Sequence, residues 1–130
     1  MEIEVFTLCD AAADYQGRLS ILGIFDTIFA ANLPAVHPHC AVALRFRVKK
    51  IEMGNHSLVL HIVDDNGSLI IQELKGELAI QIPAENPVGT INLVLNLEGL
   101  TFNNYGEYAV NLAIDGHEMA SLPFWVRKQP

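Results

Sequence analysis

Apolar and polar residues alternate along most of the chain, which is the period of a strand with one face on a core. Weaker β-rich segments cover residues 2–8, 18–29, 68–74, 77–82 and 117–127. Four segments alternate most clearly: AVALRFRV (41–48), SLVLHIVD (57–64), INLVLNLE (91–98) and EYAVNLAI (107–114). Together these segments predict eight or nine short strands.

The turn residues support this prediction. Asp115-Gly116 and Asn66-Gly67 are typical of two-residue type I′ turns, whose central residues both need positive φ. No segment shows a sustained helical period. The stretch DAAAD, residues 10–14, predicts a single helical turn with Asp10 as its N-cap.

Many short strands separated by turn signals favour a sandwich or a barrel. Gly106 and Tyr108 stand at the start of a strand, where immunoglobulin-like sandwiches place a tyrosine whose hydroxyl folds back onto the backbone. We therefore predict an all-β fold: one domain over residues 1–130, forming an immunoglobulin-like, two-sheet antiparallel β-sandwich. Its closing hairpin spans residues 102–126.

Composition narrows the range of partners. The chain has 130 residues with eight basic and fifteen acidic side chains, giving a net charge of -7. This balance disfavours nucleic acid and anionic membrane surfaces as partners, since both bind clustered Lys and Arg. Apolar residues make up 51% and charged residues 18%, which favours self-association. No leader or membrane span is visible, so we expect a soluble, cytoplasmic protein.

Three segments resemble an uncharacterised bacterial family of small all-β domains, known only as a domain of unknown function. These are VFTLCDAAADYQGRLSILGIFDTI (5–28), HPHCAVALRFRV (37–48) and GEYAVNLAIDGHEMASLPFWV (106–126). The resemblance implies the sandwich fold and a bacterial source. It implies no activity, ligand or cofactor.

Cysteine and histidine offer the main candidates for chemistry. Cys9, His37, His39 and Cys40 are residue types that bind zinc, and a Cys–His pair can also act as a nucleophile and its base. However, His39 and Cys40 are adjacent, and adjacent strand residues point to opposite faces. The favoured interpretation is that both cysteines are buried core residues. We therefore predict no metal, no cofactor and no catalytic residue.

Two other groups are candidates for binding. Arg45, Arg47 and Lys49 share one face of a strand, which indicates either an anion-binding stripe or, as we favour, a charged face that blocks edge pairing. Trp125 is expected outside the core, where it and Tyr105 would form a platform for stacking a sugar ring.

A set of apolar residues is expected on the outer faces of the sheets, and large apolar patches mark protein contacts. We therefore predict a non-enzymatic interaction or structural module that binds itself as a homo-oligomer, or another protein. The alternatives are a sandwich that binds a sugar or an anion and, less favoured, a metal or thiol enzyme. The apolar set is Val59, Val63, Val94, Ala109, Ala113 and Met119.

Overall fold

The computed structural model describes all residues, 1–130, and contains nine strands in two sheets. The predicted all-β, two-sheet fold is confirmed. One short 3₁₀ helix, Lys50–Glu52, interrupts the strands. The strands are β1 (Glu2–Tyr15), β2 (Arg18–Ile24), β3 (Thr27–Ala30), β4 (Ala35–Lys49), β5 (Gly54–Val63), β6 (Leu74–Ile80), β7 (Val88–Phe102), β8 (Gly106–Ile114) and β9 (His117–Lys128).

The first sheet, sheet A, has the strand order β2-β1-β4-β7, and the second, sheet B, has the order β3-β9-β8-β5-β6. All neighbours are antiparallel except β3 and β9, which pair in parallel from Thr27–Trp125 to Ala30–Lys128. The predicted antiparallel sandwich thus contains one parallel pair, at this edge.

The core lies between the two sheets and follows the predicted alternation. Val42, Leu44, Phe46 and Val48 on β4 are buried, as are their counterparts on β5 and β8. On β7, Leu97 is buried, and the other predicted inner residues are partly buried and pack against the same core. In all, 22 buried residues form one cluster, which contains no polar or charged residue except the hydroxyl of Tyr108. Such a continuous apolar layer is the main source of stability in a domain of this size.

Tyr108 makes the corner bond that the sequence predicted. Its hydroxyl donates to the backbone oxygen of Asn104 at 2.6 Å. The ring packs edge-on to Phe102 at 5.0 Å and stacks on Phe124 at 5.5 Å between centroids. Burial raises the pKa of Tyr108, so the hydroxyl remains a donor to the carbonyl. The broader likeness to immunoglobulin domains stays a prediction.

The hairpin of β1 and β2, residues 9–24, hereafter hairpin 1, leaves sheet A and folds back over its outer face. β1 pairs with β4 only as far as Cys9–Ala41, and from there it pairs with β2 alone. The inner side of hairpin 1 covers a second, smaller buried cluster of Cys9, Ala41 and Ala43. The covering residues are Ala12, Leu19 and Ile21, which also pack near Val94 of β7.

The predicted helical turn over residues 10–14 is wrong, because these residues belong to β1. The Gln16-Gly17 pair closes hairpin 1 with φ values of 51° and 77°. These values are those of a two-residue type I′ turn, whose twist matches that of paired strands. The turn therefore holds the alanine run extended against β2, although alanine itself favours helix.

Candidate functional site

The predicted basic stripe lies on the outer face of β4, where Glu4 of β1 occupies it. The Arg45 Nε lies 2.8 Å and the Arg47 Nη2 2.6 Å from the two carboxylate oxygens of Glu4. Hydrogen bonds from Arg47 and then Arg45 lower the pKa of Glu4. Lys49 is not part of this cluster, and its backbone N–H donates to Glu52 at 2.9 Å. The two arginines thus already hold a carboxylate that belongs to the chain.

Arg45 also connects the stripe to hairpin 1. Its Nη1 donates to the side-chain oxygen of Asn92 on β7 at 2.8 Å. The Asn92 amide then donates to the Gly17 carbonyl at 3.1 Å and, more weakly, to an Asp14 carboxylate oxygen at 3.4 Å. Asn92 therefore pins the turn of hairpin 1 to the face of sheet A.

Cys9 and Cys40 lie on opposite faces of sheet A and are both fully buried. Cys40 belongs to the main core, whereas Cys9 lies beneath hairpin 1, where its Sγ lies 3.6 Å from the Ala41 carbonyl. Burial raises the pKa of the Cys40 thiol to about 11, and burial with the charge of Asp10 raises the pKa of Cys9. Both groups are therefore protonated near neutral pH, the form least suited to nucleophilic attack or metal binding.

The two histidines of the HPHC stretch do not join these thiols in a cluster. The ring of His37 packs against Phe25 at 5.6 Å, and its Nε2 has no hydrogen-bond partner. His39 is exposed and lies opposite Glu98 across the ladder. No three His, Cys, Asp or Glu side chains are placed to hold one metal ion.

Trp125 lies half-buried on the outer face of sheet B, on the side opposite Phe124 as predicted. It lines an open depression of about 660 Å³ together with Tyr105, the other predicted platform residue. The guanidinium of Arg127 lies 5.5 Å from the centroid of the indole ring and occupies one of its faces. The other nearby charges are Glu107 and Lys128.

The predicted apolar outer-face set does not form one patch. Val94 lies on sheet A beside hairpin 1, and Met119 is the unpaired residue of a bulge in β9. The remaining four form two rows on sheet B, Val59–Ala113 and Val63–Ala109. The polar pair His61–Asn111 separates these two rows.

The polar side chains of the His61–Asn111 row on sheet B hydrogen-bond to neighbouring side chains. His61 hydrogen-bonds Glu73, and the Ser121 hydroxyl donates to Asn111 at 2.6 Å. The hydrogen bond from His61, followed by that from Lys75, lowers the pKa of Glu73. A depression of about 250 Å³ beside this row is lined by both polar and apolar side chains. The outer face of sheet B is therefore of mixed polarity.

The outer side of hairpin 1 exposes large apolar side chains, a surface that the sequence prediction did not include. Tyr15 is 67% exposed, Leu22 70% and Ile24 65%. A shallow depression of about 260 Å³ on this hairpin has five apolar residues among its six lining residues. The sequence analysis missed this surface because it predicted a helical turn over residues 10–14. The Gln16-Gly17 pair between two alternating segments is itself a hairpin signal.

A model of a protein family of unknown function, DUF6941, matches residues 4–127, which is nearly the whole chain. The chain belongs to this family. The family membership inferred from the resemblance is thus confirmed, while the bacterial source stays a prediction. No curated protein sequence matches the chain. The structure contains no helix long and apolar enough to cross a membrane.

Proposed function

We propose that this member of the DUF6941 family is a non-enzymatic interaction module, and that its contact surface is the outer side of hairpin 1. The observation that carries this proposal is the exposure of Tyr15, Leu22 and Ile24 within ten residues of one hairpin. Single exposed apolar residues are common on protein surfaces, but clusters of them mark contact sites. Ile51, which is 92% exposed in the 3₁₀ helix, is an exposed apolar residue outside hairpin 1.

The flatness and the alanines of this surface suit a protein partner. Ala11 and Ala13 lie between the larger side chains, so a partner's side chains or backbone can approach closely. Burying a leucine or isoleucine side chain from water contributes about 1.5–3 kcal/mol in each case. Two such residues with Tyr15 therefore supply a substantial part of the free energy that a specific contact needs.

The state of the thiols and of the basic stripe supports the non-enzymatic half of the proposal. Burial raises the pKa of both thiols, and Glu4 neutralises the two arginines of the stripe. An anion could bind the stripe only by displacing Glu4. We also propose a cytoplasmic location, for which the two unpaired thiols are suited because that compartment keeps cysteines reduced.

The depression that contains Trp125 and Tyr105 favours a second candidate function, the binding of a sugar. Aromatic faces stack on sugar rings, and Glu107 could accept hydrogen bonds from hydroxyls there. Trp125 is the only tryptophan of the chain, so its fluorescence reports on this site alone. Titration with a panel of monosaccharides and oligosaccharides should change the emission if a sugar displaces Arg127; an unchanged spectrum would remove this candidate.

The interaction proposal is tested by affinity capture from the native host with three forms of the protein. Leu22→Asp places a charge at the centre of the proposed surface, and Ile51→Asp places the same charge on an equally exposed residue elsewhere. We expect one or more identified proteins to bind the wild type and Ile51→Asp and to be lost with Leu22→Asp. Equal capture by all three forms would contradict the proposal.

A further inference from the structure

The depression on the outer face of sheet B is lined by two cations that the chain leaves unpaired. Arg127 and Lys128, at the end of β9, have no ion pair and no side-chain hydrogen bond within the chain. By contrast, Arg45, Arg47 and Lys75 each pair with a carboxylate. An anionic ligand in the depression could therefore pair with Arg127 or Lys128 without displacing a carboxylate of the chain.

The aromatic residues of this depression are fixed to β3 before any ligand binds. The Tyr105 hydroxyl donates to the Ala30 carbonyl at 3.0 Å. The Trp125 backbone N–H donates to the Asp26 carbonyl at 2.8 Å, and on its other side Trp125 lies opposite Glu107 of β8. Positioning of this kind lowers the entropic cost of stacking a ligand on the rings.

Arg127 determines which kind of sugar can use the indole face. Its guanidinium lies 5.5 Å from the centroid of the ring, so a sugar that stacks on this face of Trp125 must displace it. The cation–π contact that is given up corresponds to about two- to fivefold in affinity at an exposed site. A neutral sugar offers the displaced guanidinium no charged partner. A sugar carboxylate accepts its hydrogen bonds, and charge-assisted bonds of this kind are stronger than neutral ones.

The charges around the indole are arranged asymmetrically. Glu107 lies opposite Trp125 on β8, whereas Arg127 and Lys128 follow Trp125 on β9. The Glu107 carboxylate accepts hydrogen bonds from hydroxyls but repels an anion. A sugar acid therefore has one favoured orientation, with its hydroxyls toward Glu107 and its carboxylate toward the two cations. Because the chain as a whole carries a net charge of -7, this attraction is local, and salt screens it.

We infer that the ligand of the Trp125 depression is an acidic saccharide, a sugar whose ring carries a carboxylate, such as a uronic acid. This inference rests on the second candidate function, sugar binding, and names the class of sugar. Trp125 provides the stacking surface, and Arg127 with Lys128 binds the carboxylate. Glu107 accepts hydrogen bonds from the hydroxyls.

Fluorescence titration at low salt tests the inference, because Trp125 is the only tryptophan of the chain. The ligands are galacturonic acid and its short oligomers, compared with galactose and its short oligomers. We expect the acidic sugars to change the emission with saturation, and the neutral sugars to bind about tenfold more weakly or not at all. Gluconate, an open-chain sugar acid with no ring to stack, is the control ligand and should bind more weakly than galacturonic acid.

A charge-removing variant separates the role of Arg127 from general electrostatics. Arg127→Gln should weaken binding of the acidic sugars about three- to tenfold, since it removes the partner of the carboxylate. The same variant should not weaken binding of the neutral sugars, because they no longer have to displace a cation. Arg18→Gln, at another exposed and unpaired arginine in hairpin 1, is the matched control and should leave both affinities unchanged.

The inference and the candidate function fail in different ways. Neutral sugars that bind as tightly as acidic ones, in the wild type and in Arg127→Gln alike, would overturn the inference and leave sugar binding standing. Gluconate that binds as tightly as galacturonic acid would show a simple anion site and overturn the inference as well. An emission spectrum that no sugar changes would remove both. The interaction proposal depends on Leu22 and is tested separately.

Discussion

Two hairpins of this domain are closed by nearly identical turns and have different surroundings. Hairpin 1 turns at Gln16-Gly17, with φ of 51° and 77°, and the β8–β9 hairpin, hereafter hairpin 2, turns at Asp115-Gly116, with φ of 52° and 78°. Hairpin 2 forms the centre of sheet B and buries Phe124 and Val126. Hairpin 1 covers only a small cluster and leaves its outer side exposed. Turn chemistry thus determines that a hairpin forms, while its flanking side chains determine where it packs.

The largest expected difference between the hairpins is in their contribution to the free energy of unfolding. Phe124→Ala empties a fully buried site between Phe102 and Tyr108, and we expect a loss of about 3–5 kcal/mol. Ile21→Ala truncates a partly buried side chain on the inner side of hairpin 1, and we expect a loss of about 1 kcal/mol. Urea denaturation of both variants measures the difference. Equal losses would show that hairpin 1 is as integral to the core as hairpin 2.

The hydroxyl of Tyr108 allows the two hairpins to be compared through a single hydrogen bond. Tyr108→Phe removes the bond to the Asn104 carbonyl without changing the packing of the ring, and we expect a loss of about 1–1.5 kcal/mol. Tyr15→Phe is the matched control in hairpin 1, since Tyr15 is largely exposed and its hydroxyl has no partner in the chain. We expect no change there. A neutral Tyr108→Phe would mean that water replaces the tyrosine hydroxyl at the corner.

The same contrast explains how far the sequence could predict the fold. Strict alternation over β4, β5, β7 and β8 reflects a face buried against a core, and in those strands the inner residues were predicted correctly. In hairpin 1 both sides carry small or apolar residues, so the alternation that specifies a face is weak. Where hairpin 1 folds back, its turn contacts Asn92, which is distant in sequence and carries no local signal.

The basic stripe on β4 was predicted only in part, because local patterns are visible in one sequence and long-range contacts are not. A single sequence places Arg45 and Arg47 on one face, because strand periodicity is local. It cannot show that Glu4 faces them, since that depends on the register of β1 against β4 and on the irregularity between Ile3 and Val5. Likewise, both cysteines are buried as expected, but a single sequence cannot show that Cys9 lies on the other face of sheet A beneath hairpin 1.

The reactivity of Cys9 can test whether the hydrogen bonds from Asn92 hold the turn of hairpin 1 against sheet A. Asn92→Ala removes the two hydrogen bonds to the turn, so hairpin 1 should open more often and expose the thiol beneath it. We expect Cys9 to react with a thiol reagent about five- to tenfold faster than in the wild type, which corresponds to the loss of about 1 kcal/mol. Mass spectrometry of peptides separates the two cysteines.

Cys40 provides the internal control for this experiment, because it lies in the main core and should keep its slow rate. Parallel acceleration of both thiols would indicate global unfolding, and an unchanged Cys9 would show that Asn92 does not hold hairpin 1. Arg45→Gln should give a smaller acceleration of Cys9 than Asn92→Ala, because it removes only the group that orients the Asn92 amide.

The smallest effect is expected for the hydrogen bonds that hold the turn of hairpin 2. Their contribution to stability depends on pH. The carboxylate of Asp115 accepts from the Ser57 N–H at 2.9 Å and from His56 Nδ1 at 2.6 Å, while His56 Nε2 lies 2.6 Å from the Glu52 carbonyl. Both ring nitrogens face acceptors, so the doubly protonated ring is the form that satisfies both contacts. The Asp115 bond, followed by the Glu52 carbonyl, raises the pKa of His56, and the bond from His56 lowers that of Asp115.

The sign of the effect follows from these shifts. A raised pKa in the folded state means that the stabilisation by His56 is complete below its unfolded pKa of about 6.5 and is lost as the pH rises through the folded value. We expect the difference in melting temperature between the wild type and His56→Gln to shrink by roughly 1–2 °C from pH 6 to pH 9, a small change because the pair is close to solvent. The pin of hairpin 1 is an amide–carbonyl bond, so the corresponding difference for Asn92→Ala should stay constant over that range. A constant difference for His56→Gln as well would show that the imidazole stays neutral and that both turns are held by bonds insensitive to pH.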